Sequence, residues 1–402
     1  MKNNTLNFAE PQSILSAKPK KHLKKLFTLL ALAAAGLTAC DSGKTTSSST
    51  TVDSSVTVTQ TVDTTQKGGS PDDVKPKGPK PAWADDIKPQ MAAVIEKLAS
   101  YNDTPIPQLT AVQARKNHTA TDATMDVMKD YNIAMPVIKV DTMGKDIPVT
   151  GGNVHVRVYT PQGATGTLPV IVYYHGGGFV IANLDVYDAS AKTLADQTQA
   201  VVVSVAYRLA PEHKFPTAHN DAFEAYQWVV KNAASIKGDA KMIAIAGESA
   251  GGNLAVATAI AARDKGVQLP VHILSVYPIA SADMASPSYV KYANAKPLDK
   301  PMMMWFTKNY VSSMAQAKDP RLNLVAANLK GLPPVTIINA ELDPLASDGE
   351  MLAKKLEAAG VKVDTKVYNG VTHEFFGMGA LLPEAKEAEG YAAEQLKSAF
   401  KK

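Results

Sequence analysis

The 402-residue chain predicts an α/β fold with a mostly parallel central sheet and helices on both faces. Two observations predict it. Short apolar runs rich in β-branched residues recur between residues 153 and 367, and helical stretches alternate with them along the chain. That alternation is the mark of a parallel sheet covered on both sides, because each return to the same edge needs a crossover. The sequence contains no internal repeat.

The elements follow in chain order. Met91 to Leu98 and Ala123 to Tyr131 have helical apolar spacing. Asn153 to Tyr159 places Val154, Val156 and Val158 on one face and reads as a strand. Pro169 to Tyr174 is a strand, Ala189 to Gln197 a helix, Ala200 to Ala206 a strand, and Asn220 to Asn232 a helix. Met242 to Ala246 is a strand and Ser249 to Asp264 a helix. Val271 to Tyr277, Val335 to Ala340 and Lys362 to Val367 are further strands, with helices over Ala346 to Ala358 and Glu384 to Lys401.

Composition bounds the function. Apolar residues make up 45% of the chain, enough for a substantial core. The formal charge of +4 is concentrated at the N-terminus. Residues 1–39 hold six lysines against Glu10 alone, and the remainder carries a net charge of −1. A nearly neutral body offers no electrostatic basis for binding nucleic acid. Cys40 is the single cysteine, so neither an intramolecular disulfide nor a cysteine-based metal site can form.

The N-terminal segment reads as an address. Lysines up to Lys25 precede the uncharged run Leu26 to Leu37, and Leu37-Thr38-Ala39-Cys40 follows. A basic region, a short apolar stretch and small residues form a secretory signal over residues 1–39. The run is shorter than the ~20 residues of a membrane-spanning helix. Leu-Thr-Ala-Cys resembles the bacterial lipobox. The resemblance implies cleavage before Cys40, a diacylglycerol on its sulfur, acylation of the new amino group, and a membrane anchor of several chains. The expected location is the periplasmic side of the cell envelope, with Asp41 favouring the inner membrane over the outer. Residues 40–82 are rich in Ser, Thr, Gly, Lys and Pro and are expected to form a flexible tether. The globular domain is expected over residues 83–402.

Two glycine-bearing motifs carry chemistry. Gly247-Glu248-Ser249-Ala250-Gly251 stands between an apolar strand and a helical stretch. Such a turn exposes a serine hydroxyl at the sheet's edge, while flanking glycines permit close approach of strand and helix. His175-Gly176-Gly177-Gly178 follows the strand ending at Tyr174. Its amides can converge on the negative oxygen that develops during ester hydrolysis. His175 itself reads as a structural residue.

A serine needs a base and a carboxylate that fixes the base's tautomer. Of the eight histidines, His22 lies in the leader, and His118, His155, His175, His213 and His219 precede the serine. His272 sits inside an apolar run. The Ser…Asp…His order of such hydrolases places the base late in the chain, which selects His373. The acid should follow the strand Val335 to Ala340, leaving Glu341, Asp343 or Asp348. Asp343 is favoured because it lies nearer the carboxyl end of the strand. Followed by Pro344 and a helix, it can also serve as a cap with proline at the first helical position.

Together these residues resemble the bacterial hormone-sensitive-lipase-like (family IV) carboxylesterases of the α/β-hydrolase superfamily over residues 85–400. The resemblance rests on His-Gly-Gly-Gly-Phe at 175–179 and Tyr-Arg-Leu-Ala-Pro-Glu-His at 207–213 with Phe215-Pro216. It extends through Gly-Glu-Ser-Ala-Gly-Gly-Asn at 247–253, Asp343-Pro344-Leu345 and His373. It implies an α/β-hydrolase fold with a helical cap from residues 85–140 and a second cap piece near 283–312. It also implies an oxyanion hole made by the amides of Gly177, Gly178 and Ala250, and a substrate class of short- to medium-chain esters. Three positions depart from the commonest pattern. Glu248 stands where aspartate is frequent, Glu374 follows His373 where glycine is common, and Ser347 replaces an acidic residue. They bear on cap details and substrate preference, and all three triad groups remain.

The expected activity is serine carboxylesterase chemistry through an acyl-enzyme, with no metal and no organic cofactor. The row Met302-Met303-Met304-Trp305-Phe306 reads either as core or as the wall of an acyl pocket. Two alternatives are a deacetylase of acetylated polysaccharide and a non-catalytic, ligand-binding envelope lipoprotein.

Overall fold

The computed structural model describes residues 68–401. The expected signal peptide, Cys40 and the tether as far as residue 67 lie outside the described residues. Among the described residues eight strands form one sheet in the order β1-β2-β4-β3-β5-β6-β7-β8. They are β1 (Val140–Val149), β2 (Gly152–Pro161), β3 (Leu168–Tyr174), β4 (Val201–Ala206), β5 (Gly238–Glu248), β6 (Ile273–Val276), β7 (Val335–Leu342) and β8 (Val363–Thr372). β2 runs antiparallel to both β1 and β4, and every pairing from β4 through β8 is parallel.

Among the described residues the α-helices are α1 (Pro89–Ser100), α2 (Ala111–Ala114), α3 (Ala120–Asp130), α4 (Asp188–Thr198), α5 (Thr217–Asn232), α6 (Ala250–Asp264), α7 (Pro287–Lys291), α8 (Lys300–Tyr310), α9 (Ala346–Ala358) and α10 (Pro383–Phe400). The sheet separates two apolar cores. Val170, Val172 and Tyr174 of β3 face a core shared with α5, α6, α8 and α9. Ile171 and Tyr173 face the other, shared with α1, α3, α4 and α10. Both sides of the strand are therefore dry, which explains an apolar run without polar alternation. Among the described residues no helix is long and apolar enough to cross a membrane.

Three details differ from the sequence reading. The body begins before residue 83: Val74 is buried, Gly69 donates its N–H to Asn132 O at 3.0 Å, and Ser70 caps a 3-10 turn over Pro71–Asp73. β1 was not expected, and its burial pattern shows why. Only Ile147 and Val149 are buried along this edge strand, so it carries little apolar signal. Pro344 precedes α9 and does not occupy its first position; the helix begins at Ala346 with Leu345 as its N-cap.

β5 ends at Glu248 and α6 begins at Ala250, so Ser249 alone makes the turn. Its φ of 56° and ψ of −116° are sparsely populated for an L-residue. Two glycines make the turn possible by their lack of a side chain. A Cβ at Gly247 would lie 2.2 Å from Gly251 O, and one at Gly251 would lie 1.9 Å from Tyr174 O, at the end of β3. Both obstacles are backbone and cannot swing away. Gly251→Ala should therefore cost about 3 kcal/mol or more of stability, the upper range for overpacking. Urea denaturation reads this as a lowered midpoint; an unchanged midpoint would mean that β3 and α6 can separate freely.

Candidate active site

Ser249 is 5% exposed and its N–H is held by Val276 O at 2.9 Å. The hydroxyl reaches His373, whose Nε2 lies 2.9 Å from Ser249 Oγ. On the other side of the ring, Nδ1 lies 2.6 Å from Asp343 Oδ2. Asp343 is fully buried, and its second oxygen, Oδ1, accepts the Leu345 N–H at 2.8 Å. One carboxylate thus fixes both the turn into α9 and the imidazole. With its proton on Nδ1, His373 presents a lone pair to the serine hydroxyl.

The other candidate acids are engaged elsewhere. Glu341 Oε2 accepts the Gly370 N–H at 2.9 Å. Asp348 Oδ2 accepts the amides of Ala280 and Ser281, each at 2.9 Å, and burial pushes this carboxyl up to about 7. It secures the loop after β6 instead of meeting the histidine.

Gly177 and Gly178 follow β3 with φ of 96° and 59°. A Cβ on Gly178 would lie 2.3 Å from the Phe306 ring, and one on Gly177 would lie 2.2 Å from Ile181 O. Among the described residues, no carbonyl or side chain accepts a hydrogen bond from the amides of Gly177, Gly178 or Ala250. Ala250 is the first residue of α6, where amides lack intrahelical partners. Both glycines border the cavity that also contains Ser249 and His373.

His175 holds this loop without facing the reaction. Its Nδ1 lies 2.8 Å from Gly176 O, and its ring stacks on Tyr207 at 4.4 Å. Burial lowers its pKa to about 4, so it is neutral at physiological pH. Tyr207 OH donates to His175 O at 2.8 Å. Arg115 fastens the outer side, donating to Val180 O and Ala210 O at 2.8 and 2.7 Å and pairing with Glu212.

Burial would by itself lower the pKa of His373. The charge and hydrogen bond of Asp343, followed by the charges of Glu374 and Glu248, outweigh it and raise the pKa above 6.5. Glu248 accepts Tyr173 OH at 2.5 Å and Tyr277 OH at its other oxygen. Burial pushes it up to about 7 against the pull of those hydroxyls. The Tyr277 ring packs on His373 with centroids 4.5 Å apart, so the residue before the serine steadies the base through a tyrosine. Tyr187, on the cavity wall, donates its OH to Glu374 at 2.7 Å; sequence reasoning missed it and Tyr277 because a tyrosine beside a strand or helix also reads as core.

A cavity of about 590 Å³ opens onto Ser249. Its walls include Ile95, Leu98 and Ile106 from the N-terminal region, Leu298 from the segment leading into α8, and Met302 and Phe306 of α8 itself. Both expected cap regions thus border the cavity. The apolar row of α8 divides by helical face: Met302, Met303 and Phe306 line the cavity, whereas Met304 is 58% exposed. Trp305 is buried and donates Nε1–H to Leu109 O at 3.0 Å. Among the described residues no cluster of three or more His, Cys, Asp or Glu side chains is placed to hold a metal ion.

Comparison with known proteins agrees with this architecture. Residues 171–377 match the family described as alpha/beta hydrolase fold. A carboxylesterase, NlhH, from Mycobacterium tuberculosis is 41% identical over 252 residues, covering 62% of this chain and 79% of that protein. An ethyl acetate hydrolase of Pseudomonas putida is 32% identical over 310 residues, covering 75% of this chain and 95% of its own length. Among solved structures, a thermostable esterase from Pseudomonas putida superposes with a TM-score of 0.72 at 30% identity, covering 78% of this chain and 98% of that one. A hyperthermophilic esterase from Pyrobaculum calidifontis superposes with a TM-score of 0.71 at 36% identity, covering 78% and 98%. With a parallel sheet, a serine elbow and a facing histidine common to this architecture, the chain belongs to the carboxylesterases of the α/β-hydrolase fold.

Proposed function

We propose that the chain hydrolyses short- to medium-chain carboxylic esters, with Ser249 as nucleophile, His373 as general base and acid, and Asp343 as the carboxylate that orients the base. The observation that carries this reading is the bridging position of His373, 2.9 Å from Ser249 Oγ and 2.6 Å from Asp343 Oδ2. His373 Nε2 takes the hydroxyl proton as Oγ bonds to the ester carbonyl carbon. The carbonyl oxygen becomes an oxyanion held by the amides of Gly177, Gly178 and Ala250. The C–O bond to the alcohol then breaks and His373 returns the proton to the leaving oxygen. Water, deprotonated by His373, attacks the acyl-enzyme and releases the acid, restoring Ser249. The cavity of about 590 Å³ is of small-molecule size, which supports short and medium acyl chains over long triglyceride chains.

Ser249→Ala should lower kcat on a chromogenic butyrate ester by at least ~10⁴-fold, and Asp343→Asn by ~10⁴-fold through the wrong imidazole tautomer, with folding intact. Wild-type turnover by Ser249→Ala would overturn the mechanism. Across acetate, butyrate, octanoate and palmitate esters, kcat/KM should peak at butyrate or octanoate; a maximum at palmitate would overturn the assignment of chain length.

The pH dependence follows from the state of His373. The base acts only when neutral, and its pKa is raised above 6.5, so activity is lost as pH falls through that raised value. The acid limb of kcat/KM, which reports the free enzyme, should have its midpoint above 6.5. A midpoint below that value would show that burial outweighs the surrounding carboxylates.

We further propose that the chain is made as an envelope lipoprotein anchored through Cys40, facing the periplasm and favouring the inner membrane. The lysine-rich start, the run Leu26 to Leu37 and the coincidence of the single cysteine with the end of that segment support it. Mass spectrometry of the mature N-terminus from the native host should find diacylglycerol and an amide-linked acyl chain on Cys40. An unmodified Cys40 would overturn the anchor and leave the hydrolysis reading untouched.

A further inference from the structure

The cavity beside Ser249 is bordered by three acidic side chains, Asp103, Asp299 and Glu374. Two have basic partners. Asp103 Oδ2 lies 3.0 Å from His118 Nδ1, and Asp299 Oδ2 lies 2.5 Å from Lys296 Nζ. Glu374 is different. Among the described residues no lysine or arginine pairs with it. Its two oxygens share Tyr187 OH, each at 2.7 Å, and Oε1 lies 3.8 Å from His373 Nε2. A tyrosine hydroxyl supplies one proton, whereas a carboxylate offers about four acceptor positions. Acceptor capacity therefore remains on a side chain that is 24% exposed at the cavity wall.

The backbone points the same way. Glu374 sits at φ 70°, a conformation that favours glycine and strains any other residue. A carboxylate kept in a strained position, next to the base and open to the cavity, is a candidate for function. Its place also indicates which half of the ester it meets. The leaving oxygen must come within hydrogen-bond reach of His373 Nε2 to receive its proton. A hydroxyl on the next carbon of the alcohol, three bonds from the leaving oxygen, then comes within reach of Oε1, which lies 3.8 Å from Nε2.

We propose that Glu374 is a specificity-determining acceptor for the alcohol half of the substrate, and that the enzyme prefers esters whose leaving alcohol carries a hydroxyl on the neighbouring carbon, as in partial esters of glycols, glycerol or sugars. The inference rests on the Ser249–His373 hydrolysis reading. A hydroxyl donates to the free acceptor positions of Glu374 as water leaves them. A plain alkyl alcohol displaces the same water and gives nothing back, leaving the carboxylate underhydrated.

The test uses the full-length chain and two esters of nearly equal size, 2-hydroxyethyl butyrate and propyl butyrate. For wild type, kcat/KM should favour the hydroxyethyl ester by about tenfold, the scale of one hydrogen bond to a charged acceptor. Glu374→Gly suits the backbone conformation and should bring the ratio close to unity. Glu374→Gln keeps a carbonyl acceptor without the charge and should give an intermediate ratio. Any change in His373 basicity acts on both esters and cancels in the ratio. A wild-type ratio near unity, or a preference that survives in Glu374→Gly, would overturn the proposal while leaving the hydrolysis reading intact. Failure of wild type to hydrolyse either ester would overturn both.

Discussion

The backbone at Ser249 is held where an L-residue resists being held, and the rest of the site is arranged around that constraint. A positive φ combined with a ψ of −116° costs roughly 1–3 kcal/mol, offset by hydrogen bonds from Ser249 N–H to Val276 O and from Asn253 N–H to Ser249 O. Glycines at 247 and 251 let β3, β5 and α6 approach to backbone contact. The same approach brings the amide of Ala250 to the end of β3, where Gly177 and Gly178 turn away from the sheet. The strained serine, the free amides and the end of the parallel sheet are thus consequences of one close contact between chain segments. Parallel strands deliver them to one edge because all carboxyl ends point the same way, and β7 and β8 carry Asp343 and His373 to that edge.

Electrostatics then determines how the base behaves. Asp343, Glu374 and Glu248 all surround His373, but they act differently. Asp343 is fully buried and hydrogen-bonded to the ring, so it sets tautomer and orientation together. Glu248 lies beneath the elbow and accepts two tyrosine hydroxyls. Besides its charge, it supports the Tyr277 ring, which packs against the imidazole. Glu374 faces the cavity and adds negative charge on the side where protonated Nε2 must later donate. Raising the pKa of His373 favours the imidazolium that forms as Ser249 attacks, at the expense of a smaller neutral fraction at low pH.

Much of this was legible in the sequence because it depends on local backbone requirements. Gly247, Ser249 and Gly251 announce a turn that only glycine-flanked serine can make, and Gly176 to Gly178 announce a loop free of Cβ atoms. Chain order and the ends of β7 and β8 point to Asp343 and His373, the two side chains the structure brings into line with Ser249. The parts that escaped depend on long-range packing. β1 has an apolar side only near its C-terminal end, so its residues carry no period that a sequence can display. Val74 lies in a polar, proline-rich stretch, and its burial depends on packing that composition does not reveal. The row from Met302 to Phe306 looks uniform until α8 is docked, when one face meets the cavity, Trp305 turns inward to Leu109 and Met304 turns to solvent.

The two departures beside Ser249 and His373 show how the same side chain can serve opposite purposes. Glu248 and Glu374 are acids placed directly beside Ser249 and His373, and neither letter reveals its task. The structure separates them by counting acceptors. Glu248 meets two hydroxyls from opposite sides, is 1% exposed, and has become part of the scaffold below the elbow. Glu374 meets one hydroxyl with both oxygens, stays partly exposed and borders the space where the alcohol departs. A buried acid with a donor on each oxygen contributes rigidity, whereas a partly exposed one whose two oxygens share a single donor creates a demand for another. Within this site that demand can be met only by water or by substrate, which is why substrate preference, more than reaction class, is where this chain is expected to differ from its relatives.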